Sequence, residues 1–122
     1  MQPIALPAGA RDEFGETLQK KLVITQKIIN YYNEQHYQPI ATSLIEQSTV
    51  FAHTPTQKML SVLGEEVALR ADMTLPVARF VRAMKLKQPT ISLYYLGDVF
   101  RPTEPLSGTY NQTTQMGIEL IG

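Results

Sequence analysis

The sequence predicts an α+β fold in which helices pack against an antiparallel sheet. From about residue 13 to 34, apolar residues recur at steps of three and four, the spacing of one helical face. Residues 91–101 are instead rich in aromatic and β-branched residues, and residues 112–121 alternate in part between polar and apolar. The turn-prone stretch between these two segments predicts neighbouring antiparallel strands joined by a loop.

The first half of the chain predicts one long amphipathic helix followed by short strands. Asp12 is the expected helix cap. The predicted apolar face of this helix consists of Phe14, Leu18, Leu22, Ile29 and Tyr32. Residues 37–45 are rich in β-formers, and Pro39 among them favours an edge strand.

The middle of the chain predicts a hairpin and then a second helix. The expected arms of the hairpin are residues 58–63 and 66–71, with the turn at residues 64–65. Thr74 is expected to cap the second helix. The apolar face expected for this helix consists of Val77, Phe80, Val81 and Met84.

Composition excludes several classes of protein. The 122 residues include eleven basic and eleven acidic side chains, and this balance argues against a strong nucleic-acid binder. The absence of cysteine excludes disulfide scaffolds, thiolate metal sites and cysteine nucleophiles, and it fits a cytoplasmic protein. No phosphate-binding glycine loop, HExxH or GxSxG motif occurs. The end of the chain directly after a strand suggests that residues 1–122 are a fragment of a larger domain.

Polar residues at the ends of apolar strands are the candidates for chemistry. Arg70 and Asp72 follow one strand, and Arg101 ends another. Gln115 and Glu119 share a face of the last strand, because residues two and four apart point the same way. In one interpretation Arg101 and Glu119 form a structural ion pair. In the other, Asp72 and Glu119 hold an ammonium group, Arg101 a carboxylate and Gln115 a polar group, as the two ends of an amino acid would require.

Three segments resemble the histidyl-tRNA synthetase family, which has the class II synthetase-like catalytic fold. LRADMTLPVAR at residues 69–79 is similar to the segment that forms one wall of the family's histidine pocket. Residues 91–122 contain YLGDVFR and a return strand ending Gly-x-Glu-x-x-Gly, and they resemble motif 2. Residues 12–47 resemble motif 1, the helix and strand that build the dimer, although Ser43 stands where motif 1 has proline.

Within this family the residues favour the branch that regulates ATP phosphoribosyltransferase over the synthetases themselves. The segment Leu-Arg-Ala-Asp-Met-Thr at residues 69–74 has the form typical of that branch, whereas synthetases have Leu-Arg-Pro-Glu-x-Thr. Thr103 and Thr109 stand where synthetases have a glutamate and a basic residue facing ATP. The resemblance therefore implies that histidine binding is retained while ATP chemistry is lost.

The resemblance implies a non-catalytic regulatory subunit that is required for the first step of histidine biosynthesis and mediates feedback by histidine. The alternative is a catalytic fragment of an active histidyl-tRNA synthetase. The implied partners are the short-form catalytic subunit of ATP phosphoribosyltransferase, a second copy bound through the motif 1 helix and strand, and L-histidine, with no membrane or tRNA. Neither a catalytic residue nor a metal or cofactor is implied. The residues implied in histidine binding are Asp72, Thr74, Arg101, Gln115 and Glu119.

Overall fold

A computed structural model describes residues 5–56, 58–60, 64–85, 90–102, 108 and 110–122. The helices are α1 (Gly15–Glu34) and α2 (Thr74–Met84), with a short 3₁₀ turn at Ser48–Phe51. The strands are β1 (Gln38–Ile40), β2 (Ile45–Gln47), β3 (Lys58–Leu60), β4 (Glu66–Leu69), β5 (Ile91–Phe100) and β6 (Gln112–Ile121). Helices thus pack with sheets, and the predicted α+β class is confirmed.

The strands form two three-stranded sheets, which we call sheet A and sheet B. Sheet A has the order β1-β5-β6, and sheet B has the order β2-β4-β3. In sheet A, β5 and β6 are antiparallel over ten residue pairs, as predicted. β1 is parallel to β5, which differs from the expected all-antiparallel sheet. The difference arises because sheet B and α2 lie between β1 and β5 in the chain, and such a long connection permits parallel pairing. Pro39 lies in β1 at the sheet edge, where a residue without an N–H is tolerated.

Sheet B contains the predicted hairpin. β3 and β4 are antiparallel, and Gly64 between them has a φ of +79°, a conformation that favours glycine. Residues 61–63 of the predicted arm lie outside the described residues. Phe51 from the 3₁₀ turn packs with Ala68 and Ala71 in a buried apolar cluster beside this sheet. The cluster anchors the end of β4, from which the chain continues into α2.

Helix α1 lies against one side of sheet A. The rings of Tyr32 and Tyr94 are 5.3 Å apart, and Lys21 Nζ donates to Thr114 Oγ1 at 2.8 Å. The helix begins at Gly15 with Phe14 in the cap position, so the predicted cap at Asp12 is wrong. Phe14 and Leu22 of the predicted apolar face are more than half exposed. The predicted apolar face is therefore confirmed at Leu18, Ile29 and Tyr32, which are partly buried, and wrong at Phe14 and Leu22.

The predicted cap of α2 at Thr74 is wrong, since Met73 occupies the N-cap position and Asp72, one residue earlier, supplies the side-chain acceptor. Asp72 Oδ1 accepts a hydrogen bond from the Leu75 N–H at 3.0 Å, whereas Thr74 is the first helical residue. A carboxylate at this position also interacts favourably with the helix dipole. Val77 is buried as predicted, while Met84 at the far end is more than half exposed. No helix in the described ranges is both long and apolar enough to cross a lipid bilayer.

The guanidinium of Arg70 joins the two sheets. Arg70 follows β4, is only 4% exposed, and donates from Nε to the Asp98 carbonyl of β5 at 2.7 Å. Its Nη1 donates to the Thr42 carbonyl at 3.0 Å and to the Ser43 carbonyl at 3.4 Å, in the connection from β1 to β2. Burial lowers the pKa of Arg70, and the negative charges of Asp98 and Glu46 partly oppose that effect. This one cation therefore satisfies backbone acceptors from segments far apart in the sequence.

Replacing Arg70 with methionine is expected to lower the free energy of unfolding by roughly 2–4 kcal/mol, because several buried carbonyl groups would lose their donor. Chemical denaturation of the two proteins measures this difference. The matched control is Arg82→Met, at an exposed position of α2, which should change stability by less than about 0.5 kcal/mol. Equal effects of the two substitutions would contradict the joining role of Arg70.

Helix α1 ends in a Schellman motif that places a histidine in the left-handed region. His36 has a φ of 65°, and its N–H donates to the Asn33 carbonyl at 3.1 Å. The Tyr37 N–H donates to the Tyr32 carbonyl at 3.0 Å, and the rings of these two residues pack edge to face. This pattern of bonds normally has glycine in the left-handed position. His36 therefore carries a backbone strain that glycine would relieve.

The substitution His36→Gly should raise the free energy of unfolding by about 0.5–1 kcal/mol, since relief of the strain exceeds the entropy cost of glycine. Thermal or chemical unfolding measures the change. His53→Gly is the control, because His53 is also exposed but is not among the residues with positive φ. That control should be slightly destabilising, and a similar gain at both positions would contradict the explanation.

Candidate functional site

The candidate site lies on the side of sheet A opposite α1. In the β5–β6 ladder Leu93 pairs with Glu119, Tyr95 with Gly117, and Gly97 with Gln115. Directly paired residues point to the same side of a sheet, so these positions share one side. We call it the front face. Tyr94, which contacts α1, lies on the other side, because adjacent residues of a strand alternate.

Two glycines leave space on the front face for the side chains of other residues. A Cβ atom at Gly117 would lie 2.5 Å from Tyr95 Oη, so the tyrosine ring occupies the space above this position. A Cβ atom at Gly97 would collide with Arg70 Nη2 and contact Met73. Glycine inside a strand often marks such a close approach. The floor of the site is therefore formed by side chains from neighbouring positions and not by residues 97 and 117.

Three of the five predicted residues meet around Tyr95. Thr74 Oγ1 donates to Glu119 Oε1 at 2.9 Å, and the Thr74 side chain is also hydrogen bonded to Tyr95. Asp72 lies close enough to affect the same phenol. Burial is the largest cause of the raised pKa of Tyr95, followed by the charge of Glu119, with smaller contributions from Tyr32 and Asp72. The bond to Thr74 acts in the opposite direction.

Gln115 and Arg101 lie progressively farther along the ladder. Gln115 is opposite Gly97, four positions from Glu119, which corresponds to about 13 Å. Arg101 follows the end of β5, eight positions from Leu93, the partner of Glu119, or roughly 26 Å along the strand. This distance is too long for an ion pair, so the interpretation of Arg101 and Glu119 as a structural pair is wrong.

Instead, Arg101 and Glu119 contact opposite ends of one short segment, residues 71–74. Arg101 Nε donates to the Ala71 carbonyl at 2.9 Å, and Thr74 at the other end donates to Glu119. Asp72 lies within this segment. The site is thus an elongated polar surface. The Arg101 guanidinium and Asp72 are at one end, and the Glu119 carboxylate is at the other.

Tyr95, Gly97 and Gly117 were not among the residues predicted for the site, and Arg70 was a polar candidate at a strand end without a predicted role in histidine binding. Arg70 stood out as a charge after an apolar strand, but nothing in the sequence indicated that it turns inward. The two glycines, each inside a β-rich segment, were the available signal for a close approach. Among the residues that the structure describes, no group of three histidine or acidic side chains could hold a metal ion.

Comparison with known proteins identifies relatives along the whole chain. A family model described as histidyl-tRNA synthetase matches residues 9–122. A protein named ATP phosphoribosyltransferase regulatory subunit, from Limosilactobacillus fermentum, is 40% identical over 127 residues, covering 100% of this chain and 33% of the relative. A protein of the same name from Lacticaseibacillus casei is 42% identical over 123 residues, covering 96% of this chain and 32% of the relative. The chain therefore spans about a third of the length of these curated relatives.

Solved structures agree with this assignment. A Bacillus halodurans C protein described as an ATP phosphoribosyltransferase regulatory subunit/histidyl-tRNA synthetase superposes with a TM-score of 0.86 at 29% identity, covering 100% of this chain and 34% of that one. Apo histidyl-tRNA synthetase from S. aureus superposes with a TM-score of 0.81 at 27% identity, covering 95% and 28%. The chain therefore belongs to the histidyl-tRNA synthetase family and, within it, resembles proteins named ATP phosphoribosyltransferase regulatory subunit.

Proposed function

We propose that this chain is part of a non-catalytic regulatory subunit of ATP phosphoribosyltransferase, which is required for the first step of histidine biosynthesis and transmits feedback by histidine. The names of its relatives support the assignment. The observation that carries the histidine site is the meeting of Glu119, Thr74 and Asp72 around Tyr95 on the front face. The short-form catalytic subunit is the proposed partner in a hetero-oligomer.

Histidine fits the distribution of charge along the front face. Its ammonium group would bind the Asp72 carboxylate, and its carboxylate would face the Arg101 guanidinium. Arg101 is bonded to the carbonyl of Ala71, the residue that precedes Asp72, so the two charged groups are neighbours. Gln115 lies midway and offers both a donor and an acceptor. The imidazole ring would then face Glu119 at the other end. Glu119 Oε1 already accepts from Thr74, so the ring N–H would meet Oε2.

The proposed absence of catalysis rests on the loop between β5 and β6. Thr103 and Thr109 lie outside the described residues, and the sequence places them where synthetases have an acid and a base facing ATP. A threonine hydroxyl cannot replace a cation in stabilising phosphate charge. The front face would therefore bind an amino acid without activating it.

Histidine would act by changing the balance between two states of the assembly. β6 carries Glu119 on the front face, and on its other side Thr114 accepts the bond from Lys21 of α1. A ligand held by β6 therefore acts on the strand that supports α1. Allosteric coupling of this kind is typically worth about 1–3 kcal/mol.

The test uses the full-length protein that contains this chain, mixed with the short-form catalytic subunit, and measures formation of phosphoribosyl-ATP with and without histidine. The wild-type protein should be required for activity, and histidine should inhibit it. Glu119→Gln should preserve the requirement but raise the inhibitory histidine concentration about 10- to 100-fold, because a charged acceptor is lost.

Glu34→Gln is the matched control for this test, because Glu34 lies at the exposed end of α1. Inhibition by histidine should be unchanged in this variant. Formation of phosphoribosyl-ATP that is unaffected by the full-length protein would overturn the proposal. Histidine-dependent exchange of pyrophosphate into ATP, or charging of tRNA, would instead favour an active histidyl-tRNA synthetase, which the family assignment also includes.

A second copy of the chain is proposed to bind along α1. The apolar side chains of Val23 and Ile24 are 55% and 58% exposed. Leu22 is 57% exposed but points in another direction, because consecutive helical residues are rotated by about 100°. An open apolar groove on this side is lined by Glu16, Gln19, Lys20, Val23 and Ile24. Burial of this groove against a second α1 would remove its apolar side chains from water.

Val23→Asp should convert the full-length dimer to monomers, because an unpaired carboxylate would be buried at the contact. Analytical ultracentrifugation across a concentration range measures the change. Ala78→Asp introduces the same charge at an exposed position of α2 and should leave the dimer intact. A dimer that survives Val23→Asp would place the contact elsewhere.

A further inference from the structure

A tight turn ahead of α1 lies against the residue that precedes β6. The Ala10 N–H donates to the Pro7 carbonyl at 3.1 Å, and Gly9, the third residue of this turn, has a φ of +79°. A type II turn requires positive φ at its third residue, which is why glycine stands there. The turn brings the backbone of residues 8 and 9 against Asn111.

The turn holds Asn111 through both its backbone and its side chain. The Asn111 N–H donates to the Gly9 carbonyl at 2.9 Å, and Asn111 Nδ2 donates to the Ala8 carbonyl at 3.3 Å. A Cβ atom at Gly9 would be 2.9 Å from Asn111 Cγ, so a larger residue would displace the asparagine. The guanidinium of Arg11 is also 4.4 Å from the centre of the Tyr110 ring. Both residues that precede β6 are therefore in contact with the turn or the residue that follows it.

The chain between this turn and α1 is fixed on the side of sheet A that faces the helix. Glu13 Oε1 accepts from Lys21 Nζ at 2.9 Å, and Lys21 also donates to Thr114 of β6. The side chains of Lys21 and Glu13 are only 34% and 28% exposed, so water screens this ion pair less than one on the open surface. We call residues 7–13 the strap, because they contact the start of β6 at one end and α1 at the other.

The strap reaches Arg101 through Asn111. Arg101 lies one residue beyond the last pair of the β5–β6 ladder, and its side chain is exposed. An exposed arginine has many rotamers, so the place of its guanidinium depends on how firmly its backbone is held. The Arg101 N–H donates to the Asn111 carbonyl at 2.8 Å, and its Nε donates to the Ala71 carbonyl at 2.9 Å. A continuous series of contacts therefore leads from Gly9 to the guanidinium.

We propose that Gly9 and Asn111 are positioning residues for Arg101. The strap fixes Asn111, and Asn111 fixes the backbone from which the Arg101 guanidinium faces the carboxylate of the ligand. This inference rests on the proposed histidine site and adds to it residues that do not line the front face. Because the cation is aligned before the ligand arrives, less conformational freedom is lost on binding. The segment ahead of α1 thereby contributes to affinity at a distance.

Calorimetry on the full-length protein tests the proposal with L-histidine and with histamine, which has the same ring and amine but no carboxylate. Gly9→Ala should weaken histidine binding about tenfold and leave histamine binding within about twofold, because the added methyl group displaces Asn111 and with it Arg101. Gly64→Ala is the matched control. Gly64 has the same φ of +79°, but a Cβ atom there would meet none of the described residues within 4 Å. Its binding of both ligands should stay within about twofold of wild type.

Two further variants test the same series of contacts without the strain of a positive φ. Asn111→Ala removes the bond to the Ala8 carbonyl and should also weaken histidine binding selectively, by about threefold. Asn33→Ala, at an exposed position of α1, should change neither ligand. Arg101→Ala should reduce histidine affinity about tenfold or more, and the addition of Gly9→Ala should then cause no further loss, because the group to be positioned is gone.

The measurements distinguish failure of the site from failure of the strap. If the wild-type protein does not bind histidine, or Arg101→Ala does not weaken binding, the proposed site fails. If Arg101→Ala weakens binding but Gly9→Ala and Asn111→Ala affect both ligands equally, or affect neither, the positioning role is overturned. A further loss on adding Gly9→Ala to Arg101→Ala would overturn it as well. If Gly9→Ala does not fold, Asn111→Ala is judged by the same criterion.

The position of the guanidinium can also be followed without any ligand. Where histamine binds too weakly to measure, the Nε–H resonance of Arg101 in the unliganded protein decides, since this group donates to the Ala71 carbonyl. The resonance should shift in Gly9→Ala and Asn111→Ala and stay unchanged in Gly64→Ala and Asn33→Ala. An unchanged resonance in the first two variants would overturn the positioning role.

Discussion

The buried guanidinium of Arg70 is the constraint on which the geometry of the site depends. It leaves β4 of sheet B, donates to the Asp98 carbonyl of sheet A, and satisfies the carbonyls of Thr42 and Ser43 between the sheets. A buried cation is costly unless its donors are paired, so these contacts fix its position closely. The chain that follows Arg70 must then cross the front face, and this places Asp72 and Thr74 over β5 and β6. The absence of a side chain at Gly97 leaves the space that the guanidinium occupies.

The two sides of the β5–β6 ladder have different roles: one carries the polar front face, and the other contacts α1. Its antiparallel register over ten pairs aligns Tyr95 with Gly117 and Gly97 with Gln115 on the front face. The opposite side presents Tyr94 and Thr114 to α1. A shift of one residue would exchange these sides, so the register that assembles the polar site is the same one that seats the helix. Under the proposed function, ligand binding and contact with a second subunit therefore act on a shared pair of strands.

The polar groups of the front face are already hydrogen bonded to one another. Tyr95 is partly buried beside the carboxylates of Glu119 and Asp72, and these surroundings disfavour its ionised form. Glu119 already has a partner in Thr74, so under the proposed function a ligand must replace or complement existing bonds instead of filling an empty apolar cavity. Such an arrangement favours selection by hydrogen-bonding pattern over selection by size.

The sequence alone determined the α+β class, the long helix, the two final strands and the family, because these follow from local periodicity and short motifs. It also placed Gln115 and Glu119 on one face, since that depends only on the two-residue repeat of a strand. The tertiary structure decided which side of each helix and strand is buried. It also decided that Asp72 and not Thr74 supplies the acceptor at the start of α2, and that Arg101 is too far from Glu119 to pair with it. Strand register and crossover direction fix these distances, and both depend on contacts between residues far apart in the chain. For the same reason, neighbouring residues could not predict that Arg70 is buried or that the Tyr95 ring lies over Gly117.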